Sequence, residues 1–335
     1  MGTQSFEELW RAADATRRSC VGDCVHLRGL IEISNYCTAQ CTYCGIRAPN
    51  SLAKRYRMSL EEILPCARLA ERLGYGTVVL QGGESAHHLP SDWVRDVLLA
   101  IRRETNVAIT LSLGERPRDD YKMWFEAGAE RYLLRFETSN PQLFANLHPG
   151  HPGLSYRLKA LGTLREIGFE VGSGIMVGVP GQTWSDWERD IEMFRELDLD
   201  MIGVGPFLPH PHTPLGRSVA ESAPDGQVPN DVWATLRTIA EARLACPYAN
   251  IPSTTALAAL DKEHGHELGL SRGANVIMPN LTPDKYRRFY EIYPSKASTC
   301  EEAEVFDAKL KARILALGRT IGVGAGTSEN FNRRR

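Results

Sequence analysis

The sequence predicts a parallel α/β fold, in its simplest form a closed (β/α)8 barrel. Three observations carry this. Eight short apolar runs alternate with segments of helical periodicity. No linker and no repeat beyond this strand–helix unit divides the 335 residues, so 1–335 reads as one domain. Polar residues gather just after the apolar runs, where a barrel would place a site. A doubly wound open sheet is the alternative arrangement of the same elements.

The N-terminal stretch 1–20 opens with a helix that puts Phe6, Leu9, Trp10 and Ala13 on one face. Val25–Ser34 is the first strand. Ser59 with Glu62 forms a capping box for a helix carrying Ile63, Cys66, Ala67, Ala70 and Leu73, and Gly74 ends it. Thr77–Gln81 is the second strand, followed by a helix through Trp93, Val97 and Ile101. Val107–Gly114 is the third, followed by a helix with Tyr121, Trp124 and Phe125. Arg131–Thr138 is the fourth. Pro141 starts a short helix, where its missing N–H does no harm, and a second helix carries Leu158, Leu161 and Leu164. Glu170–Val179 is the fifth strand, and Thr183 caps the helix of Trp187, Ile191 and Phe194. Asp200–Phe207 is the sixth strand. A polar loop, Arg217–Asn230, leads to a helix with Val232, Leu236, Ile239 and Ala240. Asn250–Ala256 and Ala274–Asn280 are the seventh and eighth strands. Within 300–335, a helix aligns Phe306, Leu310, Ile314 and Leu317 before a Gly-rich, basic tail, whose Arg333–Arg335 reads as a solvated terminus.

Composition narrows the function. A 43% hydrophobic fraction suffices for a packed core, and a net charge of −2 does not point to nucleic acid or an anionic membrane surface. No apolar run of about eighteen residues is present, so no membrane span is expected. The N-terminus lacks signal-peptide character, and the expected location is cytoplasmic. Eight cysteines occur, and Cys20, Cys24, Cys66, Cys246 and Cys300 form no disulfide framework. Cys20 and Cys24 share a C-x3-C spacing, but two thiols alone make a poor cluster site.

The remaining three stand in Cys37-Thr-Ala-Gln-Cys41-Thr-Tyr-Cys44, directly after the first strand and ahead of a basic loop with Arg47, Lys54, Arg55 and Arg57. Three thiols within eight residues meet at one point when the backbone wraps around it, and they suit an iron–sulfur cluster. Structural zinc wants four ligands in paired spacing, and no second pair follows. A [4Fe–4S] cluster held by three cysteines leaves one iron open to another ligand. Gln81-Gly82-Gly83-Glu84, Ser112 with Glu115, Arg135-Phe136-Glu137 and Ser253-Thr254-Thr255 end other strands on the same predicted face. Gly82-Gly83 is either a tight turn or a backbone that a ligand approaches closely. Glu137 and Arg157 are either surface residues or a pair matched to an ammonium and a carboxylate. His87, His88, His148, His151, His210 and His212 lack metal-binding helical spacing and read as solvated or supporting residues.

The motif C-x3-C-x-aromatic-C, with Tyr43 as the aromatic, resembles the radical S-adenosylmethionine (SAM) superfamily. Longer strings narrow the resemblance to the HydE-type maturases of [FeFe]-hydrogenase. They include Val79-Leu-Gln-Gly-Gly-Glu84, Thr110-Leu-Ser-Leu-Gly-Glu115, Arg131-Tyr-Leu-Leu-Arg-Phe-Glu-Thr138 and Gly273-Ala-Asn-Val-Ile-Met-Pro-Asn280. Biotin synthase and methylornithine synthase share the cysteine loop. The resemblance implies one [4Fe–4S] cluster on Cys37, Cys41 and Cys44. It also implies a SAM site of Tyr43, Gly82, Gly83, Glu84, Ser112, Glu137, Arg157 and Met176. Thr110, Arg135, Thr254, Thr255 and Tyr293 would face substrate, with Arg135 also catalytic.

The implied activity is reductive SAM cleavage to a 5′-deoxyadenosyl radical during assembly of the H-cluster. The substrate would be a cysteine-bound iron complex with carbon monoxide and cyanide, and the partners HydG- and HydF-type maturases and an electron donor. A radical SAM enzyme acting on a small amino acid, as methylornithine synthase does, and a non-catalytic iron–sulfur scaffold are the alternatives. Some relatives hold a second cluster on C-terminal cysteines. Only Cys300 occurs in that region here, so none is expected. Gly82 stands where a serine occurs in some relatives and Phe136 where a histidine does, and both are expected near the site.

Overall fold

The computed structural model describes residues 3–218, 226–294 and 302–335. Cys300 and part of the 217–230 loop lie outside the described residues. The strands are β1 (Cys24–Ser34), β2 (Thr77–Gly82), β3 (Ala108–Ser112), β4 (Ala129–Leu133), β5 (Glu170–Val177), β6 (Met201–Pro206), β7 (Val276–Ile277) and β8 (Thr320–Ile321). Hydrogen-bonded neighbours run β6-β5-β4-β3-β2-β1-β7, and every pairing is parallel. β1 is buried along nearly its whole length, as a strand covered on both faces must be.

Two single bridges complete the ring: Asn250 pairs with Met201 of β6, and Pro252 with Val276 of β7. The expected seventh strand is therefore a stave without a ladder. Pro252 has no N–H to give, and Thr254 caps a helix, Thr255–Leu260, which turns the chain away. The expected eighth strand contracts to β7.

β8 and the tail after it were not expected. β8 pairs with Cys24 and Val25 at the start of β1, and the chain then crosses the N-terminal end of the barrel. There Thr77 donates to Ala325 O at 2.9 Å, while Arg28 and Asn250 both donate to Gly326 O, at 3.0 and 2.9 Å. The Arg131–Glu170 ion pair reaches the same segment through Thr327 Oγ1 and Ser328 N. The basic terminus is not merely solvated: Arg334 donates to Asp198 at 2.7 Å and to buried Asp200 at 2.5 Å. The barrel is thus closed below and open only at the ends where the strands finish.

Alternation carries past the end of β4. Arg135 and Glu137 point inward, and Phe136 points outward, fully buried 5.8 Å from the ring of Phe194. The expectation that Phe136 shapes the site is thereby corrected: it belongs to the wall between barrel and helices.

Candidate active site

The Cys37–Cys44 segment is irregular and is fixed by backbone bonds, three of them to distant segments and one within its own loop. Thr38 N donates to Glu84 O, Thr42 N to Leu147 O, Gly45 N to Ile292 O and Ala48 N to Ala39 O, all between 2.7 and 3.0 Å. Gly83 makes this possible. A methyl group on it would lie 2.3 Å from Tyr36 O and 2.9 Å from Cys37 Cβ. Its bareness serves the cysteine loop first, before any approaching ligand. A methyl on Gly82 would press on the ends of Leu89 and Leu113, at 3.0 and 3.2 Å, and touch Ser34 O at an ordinary 3.5 Å.

The three thiols line the mouth of a cavity of about 780 Å³. Burial pushes the Cys41 thiol far up, and Cys44 and Cys37 add to it, so the sulfurs feel one another. Burial raises Cys37 as well. Such a set, with thiolates disfavoured until a cation joins them, fits a metal cluster. Among the described residues no three side chains of His, Cys, Asp or Glu converge tightly enough for a single metal ion. Three thiols on one loop beside one cavity are a donor set that suits an iron–sulfur group.

Tyr43, Gly82, Gly83, Glu84, Ser112, Arg135, Glu137, Arg157, Met176 and Tyr293 line the same cavity. Thr110, Thr254 and Thr255 lie deeper, around a chamber of about 150 Å³ that shares Ser112, Arg135 and Tyr293 with the upper space. Thr255 Oγ1 and Tyr293 OH are 2.8 Å apart at its rim. Thr254 spends its hydroxyl on Val204 O at 3.1 Å. Thr110 Oγ1 is buried and among the described residues has no hydrogen-bond partner, an open polar position inside the barrel.

Glu137 has a φ of 66°, a left-handed conformation that costs a non-glycine residue energy. Bonds from Glu137 N to Gly174 O and from Met176 N to Glu137 O hold it there. Its Oε2 lies 2.9 Å from Arg135 Nη2 without hydrogen-bond geometry, so it remains available as an acceptor. Arg157 is buried rather than on the surface. Its Nε pairs with Glu115 and its Nη1 donates to Arg135 O at 2.6 Å, while among the described residues Nη2 has no partner. Burial opposes both charges, yet the His151 hydrogen bond and the Arg157 charge hold Glu115 below its ordinary range, and Glu115 holds Arg157 above. Glu84 is raised by burial, though Glu115 N donates to its Oε2 at 2.9 Å.

Three residues that the sequence reading assigns to neither the SAM site nor the substrate line the cavity as well: Glu115, which it places on the same face, and His148 and His151, which it reads as solvated or supporting. His151 Nε2 donates to Glu115 at 3.0 Å, and its Nδ1 accepts from Gly153 N at 3.0 Å. The signal was the doublet His148-Pro-Gly-His151-Pro-Gly153, a pair of turns whose Gly150 and Gly153 both have positive φ.

A profile of the radical SAM superfamily matches residues 31–194. The [FeFe] hydrogenase maturase subunit HydE of Thermotoga maritima is 46% identical over 94% of this chain and 87% of its own length. The 3-methylornithine synthase of Methanosarcina barkeri is 29% identical over 84% of this chain and 76% of its own. Among solved structures, methylornithine synthase (PylB) superposes with a TM-score of 0.80 at 23% identity, over 96% of this chain and 90% of that one. The maturase HydG from Carboxydothermus hydrogenoformans does so with 0.76 at 18%, over 93% and 70%. The two structural likenesses concern the fold.

Proposed function

Because the chain belongs to the HydE family of radical SAM enzymes, which cleave SAM, we propose that it acts in assembly of the [FeFe]-hydrogenase H-cluster. Its substrate is a small cysteine-bound iron complex carrying carbon monoxide and cyanide. HydG- and HydF-type maturases and an electron donor are its partners, and the cytoplasm its location. Cys37, Cys41 and Cys44 hold a [4Fe–4S] cluster. Tyr43, Gly82, Gly83, Glu84, Ser112, Glu137, Arg157 and Met176 form the SAM site. Thr110, Arg135, Thr254, Thr255 and Tyr293 take the substrate. When bound, the cluster and SAM supply one-electron reductive cleavage of a carbon–sulfur bond.

The chain's own residues prepare the site. Glu115 fixes Arg157 so that Nη2 is left for a carboxylate, and Glu137 offers Oε2 to an ammonium. Arg135 anchors a carboxylate or cyanide between the two chambers by charge-assisted hydrogen bonding. The barrel walls and the sealed floor keep water from the reacting groups.

The observation that supports this most is the adjacency of two spaces: the one beside the three thiols shares Ser112, Arg135 and Tyr293 with the chamber lined by Thr110. The test is anaerobic reconstitution with iron and sulfide, then incubation with SAM, dithionite and a synthetic cysteine-ligated iron dicarbonyl cyanide complex. Formation of 5′-deoxyadenosine together with conversion of the complex is expected. Methylornithine formed from lysine would transfer the chain to amino-acid chemistry, and no 5′-deoxyadenosine at all would leave only a scaffold. Cys41→Ala should remove both the cluster absorption and the cleavage.

A further inference from the structure

The basic loop after the cysteines divides its cations between two tasks. Arg55 is committed to the fold, donating to Asn35 O, Ile46 O and Arg47 O at 2.6 to 2.7 Å. Arg47 grips the cysteine loop from outside, donating to Cys41 O at 2.9 Å and Gln40 O at 3.0 Å. Lys54 and Arg57 are exposed. Lys54 lies 4.7 Å from the centre of the Phe289 ring, and exposed Arg288 lies 4.9 Å from the same ring. Arg57 lies 5.0 Å from Trp93. Among the described residues no carboxylate pairs with Lys54, Arg57 or Arg288. Of the nearby acids Glu62 is engaged by Lys285 and Asp284 by Arg287, and half-exposed Glu291 lies 3.9 Å from His210. Leu52, in the same loop as Lys54 and Arg57, has 71% of its surface exposed.

This juxtaposition is a cationic rim that no carboxylate pairs among the described residues, on the loop whose Arg47 holds the backbone of Cys41. The chain as a whole carries −2, so the positive field is local to this face. SAM cleavage consumes one electron per turnover, which must arrive from outside. We propose that this face is the docking surface for an acidic one-electron carrier protein. Its carboxylates meet Lys54, Arg57 and Arg288, and its apolar patch meets Leu52. The carrier loses one electron, and that electron is taken up in the carbon–sulfur cleavage. The proposal rests on the cysteine loop holding the cluster.

The test uses the reconstituted full chain and reduced plant-type [2Fe–2S] ferredoxin as the acidic carrier, with dithionite as the small-molecule comparison. In Lys54→Glu/Arg288→Glu, ferredoxin-driven formation of 5′-deoxyadenosine should fall about tenfold at low salt and lose its salt dependence. The dithionite-driven rate should stay at the wild-type level. Binding of oxidised ferredoxin, measured by surface plasmon resonance, should weaken about tenfold in parallel. Unchanged ferredoxin binding and rate overturn the proposal, and so does an equal loss with both reductants. Should the wild type give no 5′-deoxyadenosine with dithionite, the cluster reading fails and the docking surface falls with it.

Discussion

The Tyr43 hydroxyl lies 3.1 Å from Nε2 of His148, whose Nδ1 lies 2.9 Å from Phe144 O. A carbonyl only accepts, so Nδ1 carries the proton, Nε2 offers a lone pair, and Tyr43 donates. Burial, with the Arg157 charge adding to it, pushes His148 down to about 3, so the ring stays neutral and this direction holds at working pH. The aromatic residue between Cys41 and Cys44 is thereby pinned by the segment that Thr42 also bonds through Leu147.

His148→Phe keeps the ring volume and removes the acceptor. The Tyr43 hydroxyl then has only Glu137 Oε1, now at 3.5 Å, to turn to. The KM for SAM should rise about tenfold with kcat changed less than threefold, from a loss of roughly 1–2 kcal/mol. Steady-state cleavage assays decide it, and a fall in kcat at constant KM would contradict the pinning role.

Glu115 binds two cavity residues at once, so its charge matters more than its shape. Glu115→Gln leaves buried Arg157 without its counter-charge, at a cost of about 3–5 kcal/mol. Thermal denaturation of the cluster-free protein should show a clear drop in midpoint, and SAM binding by calorimetry should weaken. An unshifted midpoint would mean that Arg157 finds another partner.

How far the sequence reveals such pairs depends on chain separation. Alternating apolar runs disclose the staves because each run is read locally, and Cys37, Cys41 and Cys44 disclose the site because eight residues contain it. Glu115 and Arg157 are 42 residues apart, and only the barrel's curvature brings them together. Phe136 was misplaced although the period-two rule, with Arg135 and Glu137 inward, assigns it outward. The sealing tail has no periodicity. Its partners Arg28, Thr77, Arg131 and Asn250 come from separate staves, so nothing local announces it.

Gly83→Ala tests the packing behind the cysteine loop. The added methyl would lie 2.3 Å from Tyr36 O, which is backbone and cannot swing aside. The strand should stay paired while Cys37 shifts, so bound iron should fall by more than half with the far-ultraviolet circular dichroism unchanged. Full iron content in the variant would rule out this reading.

Three histidines, His148 buried and His26 and His266 half-buried, make acid costly. Burial, reinforced by Arg28 and Arg313 respectively, pushes His26 and His266 down to about 4, and His148 is lower still. Their folded values lie below the unfolded value, so the stability they allow is full above about pH 6.5 and is lost as pH falls towards 4. Asp190, pushed up to about 6 by burial, acts in the opposite sense over part of that range. Between pH 7 and 5 each of His26 and His266 should cost about 2 kcal/mol. The urea midpoint of the cluster-free protein should fall over that interval, and a flat or rising midpoint would refute the assignment.

The tail that closes the barrel floor can be displaced without touching the site above. A methyl on Gly76 would lie 1.5 Å from Gly324 O, so Gly76→Ala must push the tail off. Glu170→Gln attacks the same contact through charge: Glu170 holds Arg131 at 2.5 Å and accepts Ser328 N at 3.0 Å. Both variants should raise hydrogen exchange across residues 320–328. Glu170→Gln should also lower stability by about 3–5 kcal/mol because it strands buried Arg131. Gly76→Ala should cost less, since the Arg131–Glu170 pair survives it. If exchange over 320–328 stays protected in Gly76→Ala, the tail is held by contacts other than those at the floor, and the seal does not depend on Gly76.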